Sequence, residues 1–342
     1  MPMSTVVPGP VLLLDRETVS GLLCLDDCIA AVECAFAAHA RGTRLTPGLL
    51  HLDANGGEFH IKAGAIQGKR TYFVCKINGG FFQNRARLGL PNIIGLILLC
   101  DGATGVPLAV LESGLVTQLR TGAATAVAAR YLARRNSETV TICGAGNQAE
   151  IQLRALARVL PLKRALIWAR GNSAPFVEQM SQTLEMEVYS VVGLTRAARE
   201  SDVVVTCTPA KHWFLGREHI GPGTFIAAIG ADSPEKQELE PELLARSSVV
   251  CDLVEQCAQV GELHHAITAG LMTQRDIRGE LGAVIVGKAS TRTRDDEVII
   301  YDSTGTALQD AAVCAAVYER AKLTRRGSSF AFWTEGLIAC DR

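Results

Sequence analysis

Neither sign of charge is in excess in this sequence: 34 Lys and Arg stand against 35 Asp and Glu, a net charge of −1. That balance removes the electrostatic footprint of a nucleic-acid or membrane-surface partner, and neither is expected. Long apolar runs are also missing, and none reaches the length of a membrane span. The first residues, Met1-Pro-Met-Ser-Thr-Val-Val-Pro8, lack the charged and apolar regions of a signal peptide, so a cytoplasmic location is expected. The eleven cysteines include no Cys-x-x-Cys pair. Cys75, Cys100, Cys143, Cys207 and Cys251 sit in or at the ends of strand-like runs, where cysteine serves as a small buried apolar residue. Cys24 and Cys28 lie four apart on a helix-like segment with no His or Cys nearby to complete a ligand set, and no metal centre is expected.

What is present is enough chain for two domains, 342 residues with 48% apolar, and one informative run. Thr139-Val-Thr-Ile-Cys143 reads as a β-branched strand, Gly144-x-Gly146-x-x-Ala149 follows, and Glu150 to Val159 reads as a helix. Gly144 allows a tight turn, Gly146 lets backbone approach a pyrophosphate, and Ala149 lets helix and strand pack closely. The helix N-terminus adds free N–H groups and the positive end of its dipole. Gly144, Ala145, Gly146, Asn147 and Gln148 are therefore candidate dinucleotide-binding residues. Further apolar strands at 165–169, 187–192, 202–207, 224–229 and 247–252, the earlier ones separated by helix-compatible stretches, predict a parallel, doubly wound sheet.

The second strand ends in Trp168-Ala169-Arg170-Gly171-Asn172. An NAD site usually offers a carboxylate there to the ribose hydroxyls. This chain instead offers Arg170, a cation suited to a 2′-phosphate, the alternative being a solvated arginine. NADP(H) is favoured, with NAD(H) the alternative.

The N-terminal part differs. A strand at Val11–Leu14 precedes helical sequence at Asp26–Ala40, and strands are predicted at 59–62, 72–77 and 93–100. The last of these continues through the turn Asp101-Gly-Ala-Thr-Gly105 into Val106–Leu111, a β-hairpin signature. Thr117 is expected to cap a long helix, Gln118–Arg134. A strand at Val298–Ser303 and an alanine-rich helix, Ala307–Lys322, follow near the end. The last residues, Leu323–Arg342, read as a packing arm, a partner contact or a loose tail. The fold class is α/β, a Rossmann-like doubly wound domain over 119–305 and a mixed α+β substrate and dimerisation domain over 1–118 together with 306–342.

Three residues stand out chemically. Lys76 follows an apolar strand, where a buried ammonium is costly unless it meets an anion. Arg120 is expected in the first turn behind Thr117, where the helix dipole disfavours a cation. An anionic ligand relieves both, and an ordinary protein carboxylate is the alternative for each. Asp232 follows an apolar strand and Gly230, on the side of an open α/β sheet where ligands bind. Its alternative is a helix N-cap ahead of Ser233-Pro234.

In chain order come Lys76-Ile-Asn-Gly-Gly80, Gly89-Leu-Pro-Asn92, Asp101-x-x-Thr-Gly-x-Pro-Leu-Ala109 and Leu119-Arg-Thr-Gly-Ala-Ala124. Gly144-Ala-Gly-Asn-Gln-Ala149, Gly230-Ala-Asp-Ser-Pro-Glu-Lys-Gln-Glu-Leu239, Gly261-Glu-Leu-His-His265 and Tyr301-Asp-Ser-Thr-Gly305 follow. This series, over about residues 40 to 320, resembles the ornithine cyclodeaminase/mu-crystallin family. The resemblance implies a homodimer through the N-terminal domain, closed by the C-terminal helix, with an active site in the cleft facing the nucleotide domain. It implies that Lys76 and Arg120 hold a substrate carboxylate and that Asp232 performs acid–base chemistry at the substrate amine. Thr121, Thr208 and Ser303 complete the expected cofactor-binding set.

One departure concerns the substrate pocket. Where ornithine cyclodeaminases carry Glu-Leu-Met-Pro, this sequence has His60 at the glutamate and Lys62 at the methionine. The preceding family arginine falls near Leu49, with Arg44 the nearest arginine able to replace it. Lys62 is either a replacement cation or a solvated strand residue. The scaffold matches but the ornithine-specific pocket does not, so the expected reaction is a single hydride transfer at the C–N bond of a small α-imino or α-amino acid. That makes the chain a ketimine reductase or amino-acid dehydrogenase. Cyclodeamination of ornithine or lysine with recycled NAD is the alternative, and a non-catalytic NADPH-binding protein of the mu-crystallin kind is the second.

Overall fold

The computed structural model describes residues 9–42, 47–68 and 70–333. In chain order the elements are β1 (Val11–Leu14), α1 (Arg16–Leu22), α2 (Leu25–Ala40), β2 (Gly48–Ala54), β3 (Gly57–Gln67), β4 (Thr71–Gly80), α3 (Asn84–Leu88), β5 (Ile93–Asp101), β6 (Pro107–Glu112) and α4 (Ser113–Leu132). Then come β7 (Thr139–Cys143), α5 (Asn147–Leu156), β8 (Arg164–Trp168), α6 (Ala174–Thr183), β9 (Glu187–Ser190), α7 (Leu194–Arg199), β10 (Val203–Thr206) and β11 (Phe225–Ala228). The remainder are α8 (Pro241–Ala245), β12 (Ser248–Cys251), α9 (Val254–Val260), α10 (Glu262–Thr268), β13 (Gly279–Glu280), α11 (Leu281–Ile285), β14 (Ile299–Asp302), α12 (Ala307–Thr324) and β15 (Ser328–Phe330).

The chain divides into two compact units. Of the described residues, one unit contains those in 9–31, 47–117 and 307–333, the other those in 32–42 and 118–306. The second half of α2 thus belongs to the same unit as the parallel sheet. The first unit is built on a mixed sheet ordered β15-β1-β6-β5-β4-β3-β2, in which only β1 and β6 are parallel. Helix α12 packs against β3, β4 and β5. Alternation along the strands buries Val74, Ile97 and Leu99 completely. The opposite face carries Leu50, Leu52, Phe59, Ile77, Ile94 and Leu96, which are between 39 and 58% exposed.

In the second unit every strand is parallel, in the order β13-β12-β14-β11-β10-β7-β8-β9. Strands β7, β10, β11 and β14 are buried at every residue, which is why they read as unbroken apolar runs rather than alternating ones. The order runs outward from β7 through β8 to β9 on one side and through β10 to β11 on the other. The switch point, where ligands of open α/β sheets bind, is therefore the β7/β10 boundary.

Two sequence expectations are corrected and two strands are added. The long helix starts at Ser113, not Gln118, because the Glu112 carboxylate accepts the N–H groups of Gly114 (2.7 Å) and Leu115 (2.9 Å) and caps it at a position ahead of Thr117. Arg120 consequently lies in the third turn, and the dipole argument for it lapses. Strand β2 had no apolar run to announce it. Part of the terminal arm is a strand, with β15 pairing antiparallel on the edge of β1, while residues 334–342 lie outside the described ones.

Helix α11 approaches α2 so closely that a Cβ on Gly282 would collide with the backbone carbonyl of Phe36. Gly282→Ala is predicted to cost about 1–3 kcal/mol through overpacking, read as a lower melting temperature. Gly171→Ala, at a position with nothing within 4 Å of the added Cβ, should stay within about 0.5 kcal/mol of the parent. Equal melting temperatures for the two variants would contradict the packing described.

Candidate active site

In the second unit, β7 ends at Cys143 and the chain turns at Gly144, whose φ of +131° is a conformation L side chains rarely adopt. A Cβ there would also press on Cys207 Sγ at 3.1 Å, so glycine is required twice over. The Gly144 N–H donates to Trp168 O (2.8 Å) and the Cys207 N–H to Cys143 O (3.1 Å), which ties the ends of β7, β8 and β10 together. Gly146 is the N-cap of α5 and makes no side-chain cap bond, and a Cβ on it would meet nothing within 4 Å. A helix start without a side-chain cap, beside open space at a switch point, suits a phosphate. Ala145, Asn147 and Gln148 lie in the same turn. Arg170 is exposed two residues past the end of β8, and no carboxylate stands between Trp168 and Asn172.

The loops that follow the neighbouring strands are held by buried carboxylates. Glu238 Oε1 accepts the Thr208 N–H (2.6 Å) and hydroxyl (2.7 Å), and Oε2 accepts the Gly230 N–H (2.9 Å). One carboxylate thereby fastens the loop after β10 to the loop after β11. Glu262 accepts the N–H groups of Glu238 (2.7 Å) and Leu239 (3.1 Å). Asp302 accepts those of Glu262 (3.2 Å) and Leu263 (2.9 Å). Asp252 takes the Ser303 hydroxyl (3.3 Å), the Thr304 hydroxyl (3.1 Å) and the Gly305 N–H (2.7 Å). The hydroxyl protons of Thr208 and Ser303 are thus committed to protein carboxylates, and a cofactor would meet those side chains as acceptors.

Complete burial opposes ionisation of Glu238, Glu262 and Asp302. It pushes both Glu238 and Asp302 up to about 7, against the hydrogen bonds that pull the other way, and it raises Glu262 well above its ordinary value.

Asp232 lies four residues beyond β11, and its Oδ1 accepts from Lys236 Nζ at 2.7 Å. Its side chain is 36% exposed against 11% for Lys236, so an accessible carboxylate is oriented by a largely buried ammonium. No helix starts at Ser233-Pro234, which removes the N-cap alternative. Arg120 is 5% exposed and packs so tightly on Gly305 that a Cβ there would strike its guanidinium. Thr121 is buried beside it in α4.

In the first unit, the register pairs Lys62 with Lys76 across β3 and β4, and both are buried, at 4 and 2% exposure. Like charges directly opposite are unfavourable unless anions share the site. Asp310 on α12, itself fully buried, comes within 2.7 Å of Lys76 Nζ. Lys62 is therefore not a solvated strand residue. His60 lies on the same face and pairs across the sheet with Asn78, whose Oδ1 accepts the Ser113 hydroxyl (2.6 Å). Arg44 lies outside the described residues. Sequence reasoning missed Asp310, Glu238 and Lys236. An isolated aspartate within the alanine-rich α12 was a usable signal for the first.

The chain belongs to the ornithine cyclodeaminase/mu-crystallin family. The family profile matches residues 11–325. An archaeal alanine dehydrogenase dimer with bound NAD is similar at 35% identity and a TM-score of 0.89, covering 95% of this chain and 100% of that one. The Δ1-pyrroline-2-carboxylate reductase of Thermococcus litoralis, in complex with NADH and L-proline, is similar at 29% identity and a TM-score of 0.89, covering 94% and 100%. The iminosuccinate reductase of Paracoccus denitrificans, in complex with NAD+, is similar at 33% identity and a TM-score of 0.86, covering 94% and 99%. Among the described residues no helix is long and apolar enough to cross a membrane.

The elevated pKa of Glu238 has a consequence for stability. Between about 4.5, its ordinary value, and about 7, the folded chain binds a proton there that the unfolded chain has released, so stability falls as pH rises through this window. Glu238→Gln is predicted to lose less stability than the parent between pH 5 and 7, by a difference on the order of 2 kcal/mol, in melting curves at the two pH values. Identical pH slopes for parent and variant would show that Glu238 does not titrate there.

Proposed function

We propose that the protein is an NAD(P)H-dependent oxidoreductase acting on the C–N bond of a small α-imino or α-amino acid. The observation that carries this reading is Asp232, an accessible carboxylate beyond the carboxyl end of β11 and fixed by Lys236. A protein that only binds has no use for such a group. Reductases and a dehydrogenase among the similar structures support the same reading.

The dinucleotide, when bound, supplies or accepts the hydride at the substrate α-carbon. The chain's own residues do the remaining work. The 144–148 turn and the start of α5 would hold the pyrophosphate, with Thr121, Thr208 and Ser303 as further cofactor contacts. Lys76 and Arg120 bind the substrate carboxylate, with Lys62 as an additional cation and His60 beside it. Asp232 gives a proton to the substrate nitrogen in reduction and removes one in oxidation. Arg170, where a carboxylate would favour NAD, supports NADP(H), whereas the bound NAD, NADH and NAD+ of the similar structures weigh toward NAD(H). A homodimer through the first unit's sheet is supported by its exposed apolar face and by the dimeric archaeal relative.

Asp232→Asn should lower kcat for imine reduction by about 10²–10⁴-fold while leaving cofactor affinity nearly intact. A fully active variant would remove Asp232 from the mechanism. Arg170→Asp should shift the NADPH-to-NADH ratio of kcat/KM toward NADH, and an unchanged ratio would show that Arg170 does not read the 2′-phosphate.

A further inference from the structure

Strands β2 and β3 form a hairpin closed by two residues, Asn55-Gly56, with Gly56 at a φ of +84°. The turn sets a register that places His51 opposite His60 and Asp53 opposite Glu58. Cross-strand partners, and residues two apart, share a face, so all four side chains project from the same side of the hairpin. His51 Nδ1 lies 3.2 Å from His60 Nε2, and His60 Nε2 lies 3.3 Å from Glu58 Oε1. The ligand atoms that His51, Glu58 and His60 can offer all lie within 4.8 Å of one another.

We propose that His51, Glu58 and His60 form a binding site for a borderline first-row divalent cation, Zn2+ foremost. Two imidazole nitrogens and a carboxylate oxygen are the donor types such ions take. Around tetrahedral zinc, with bonds of about 2.0–2.1 Å, adjacent ligand atoms stand about 3.3 Å apart. Two of the three ligand pairs stand at that spacing, and the His51 Nε2–Glu58 Oε2 separation is 3.9 Å, so a small side-chain adjustment brings the third ligand to the ion. His60 is 8% exposed and held by the sheet, and it gives the site a rigid member. Asp53, whose Oδ1 lies 3.2 Å from His51 Nε2, supplies the outer carboxylate that commonly orients a metal-bound imidazole and frees Nδ1 to ligate. Three protein ligands leave the fourth position to water or to an oxygen of a bound molecule. The expectation of no metal centre was drawn from cysteine spacing, whereas this cluster is made by strand register.

The site stands independently of the role given to Asp232, and its test reads metal rather than turnover. Untagged full-length protein, stripped of metal and dialysed, is titrated with ZnCl2 by calorimetry, and bound zinc is counted by elemental analysis after desalting. One Zn2+ per chain is expected, with a loss of affinity in His51→Ala and His60→Ala beyond the 10–100-fold that an outer support usually contributes. Cys257→Ser should bind as the parent does, which separates this site from the buried Cys251, Cys257 and Asp302 donors. Should His60→Ala fail to fold, His51→Ala on the sheet-edge strand β2 carries the test, with the visible spectrum of the Co2+-loaded parent reporting tetrahedral geometry. The proposal is overturned by substoichiometric zinc in the parent, by parent-like binding in the histidine variants, or by loss of zinc only in Cys257→Ser. In any of these cases the cluster is a hydrogen-bonded histidine pair flanked by carboxylates.

Discussion

The second unit depends on one constraint: a parallel sheet delivers all its strands to the same edge, and the loops leaving that edge carry backbone N–H groups that need partners in a dry interior. Four carboxylates, Glu238, Asp252, Glu262 and Asp302, meet that need. Each accepts main-chain donors from the loops or from the first turn of α10. For Glu238 and Asp302, burial opposes the charge and backbone hydrogen bonds restore part of it, which leaves both pKa values at about 7. The outcome is loop geometry fixed by buried side-chain acceptors. Gly230 and Thr208, in the loops just past β11 and β10, are held by a single carboxylate.

The first unit handles charge in another way. Lys62 and Lys76 are brought face to face by β-sheet register, and Asp310 is carried to Lys76 by a helix more than two hundred residues later in the chain. Such a buried pair contributes little net stability, because desolvation offsets attraction, but removing one member is costly. Register and helix packing thus gather two ammonium groups and a carboxylate, all buried, on one side of the sheet.

Much of this was legible in the sequence where local chemistry decides the structure. The strand–glycine–helix order at 139–159, the fully apolar runs of the parallel strands, and the 93–111 hairpin follow from periodicity and turn residues. The start of α4 was misplaced because a glutamate side chain did a capping job expected of Thr117. Strand β2 was missed because its burial alternates weakly at a sheet edge, although the Asn55-Gly56 turn marked it. The partnerships of Lys76 with Asp310, Asp232 with Lys236 and His51 with His60 depend on pairing that one sequence does not display. Family resemblance located Lys76 and Asp232 and was silent on the side chains that position them.

The central claim is that hydride transfer at a C–N bond occurs once per turnover and leaves the cofactor changed. The most direct measurement follows the near-ultraviolet absorbance of NADPH or NADH in the presence of Δ1-pyrroline-2-carboxylate, Δ1-piperideine-2-carboxylate, or pyruvate with ammonia or methylamine. The account predicts stoichiometric oxidation of the reduced cofactor with at least one of these imines. Ammonia release from ornithine or lysine with only catalytic NAD+, and no net cofactor oxidation with any imine, would contradict it and make the protein a cyclodeaminase.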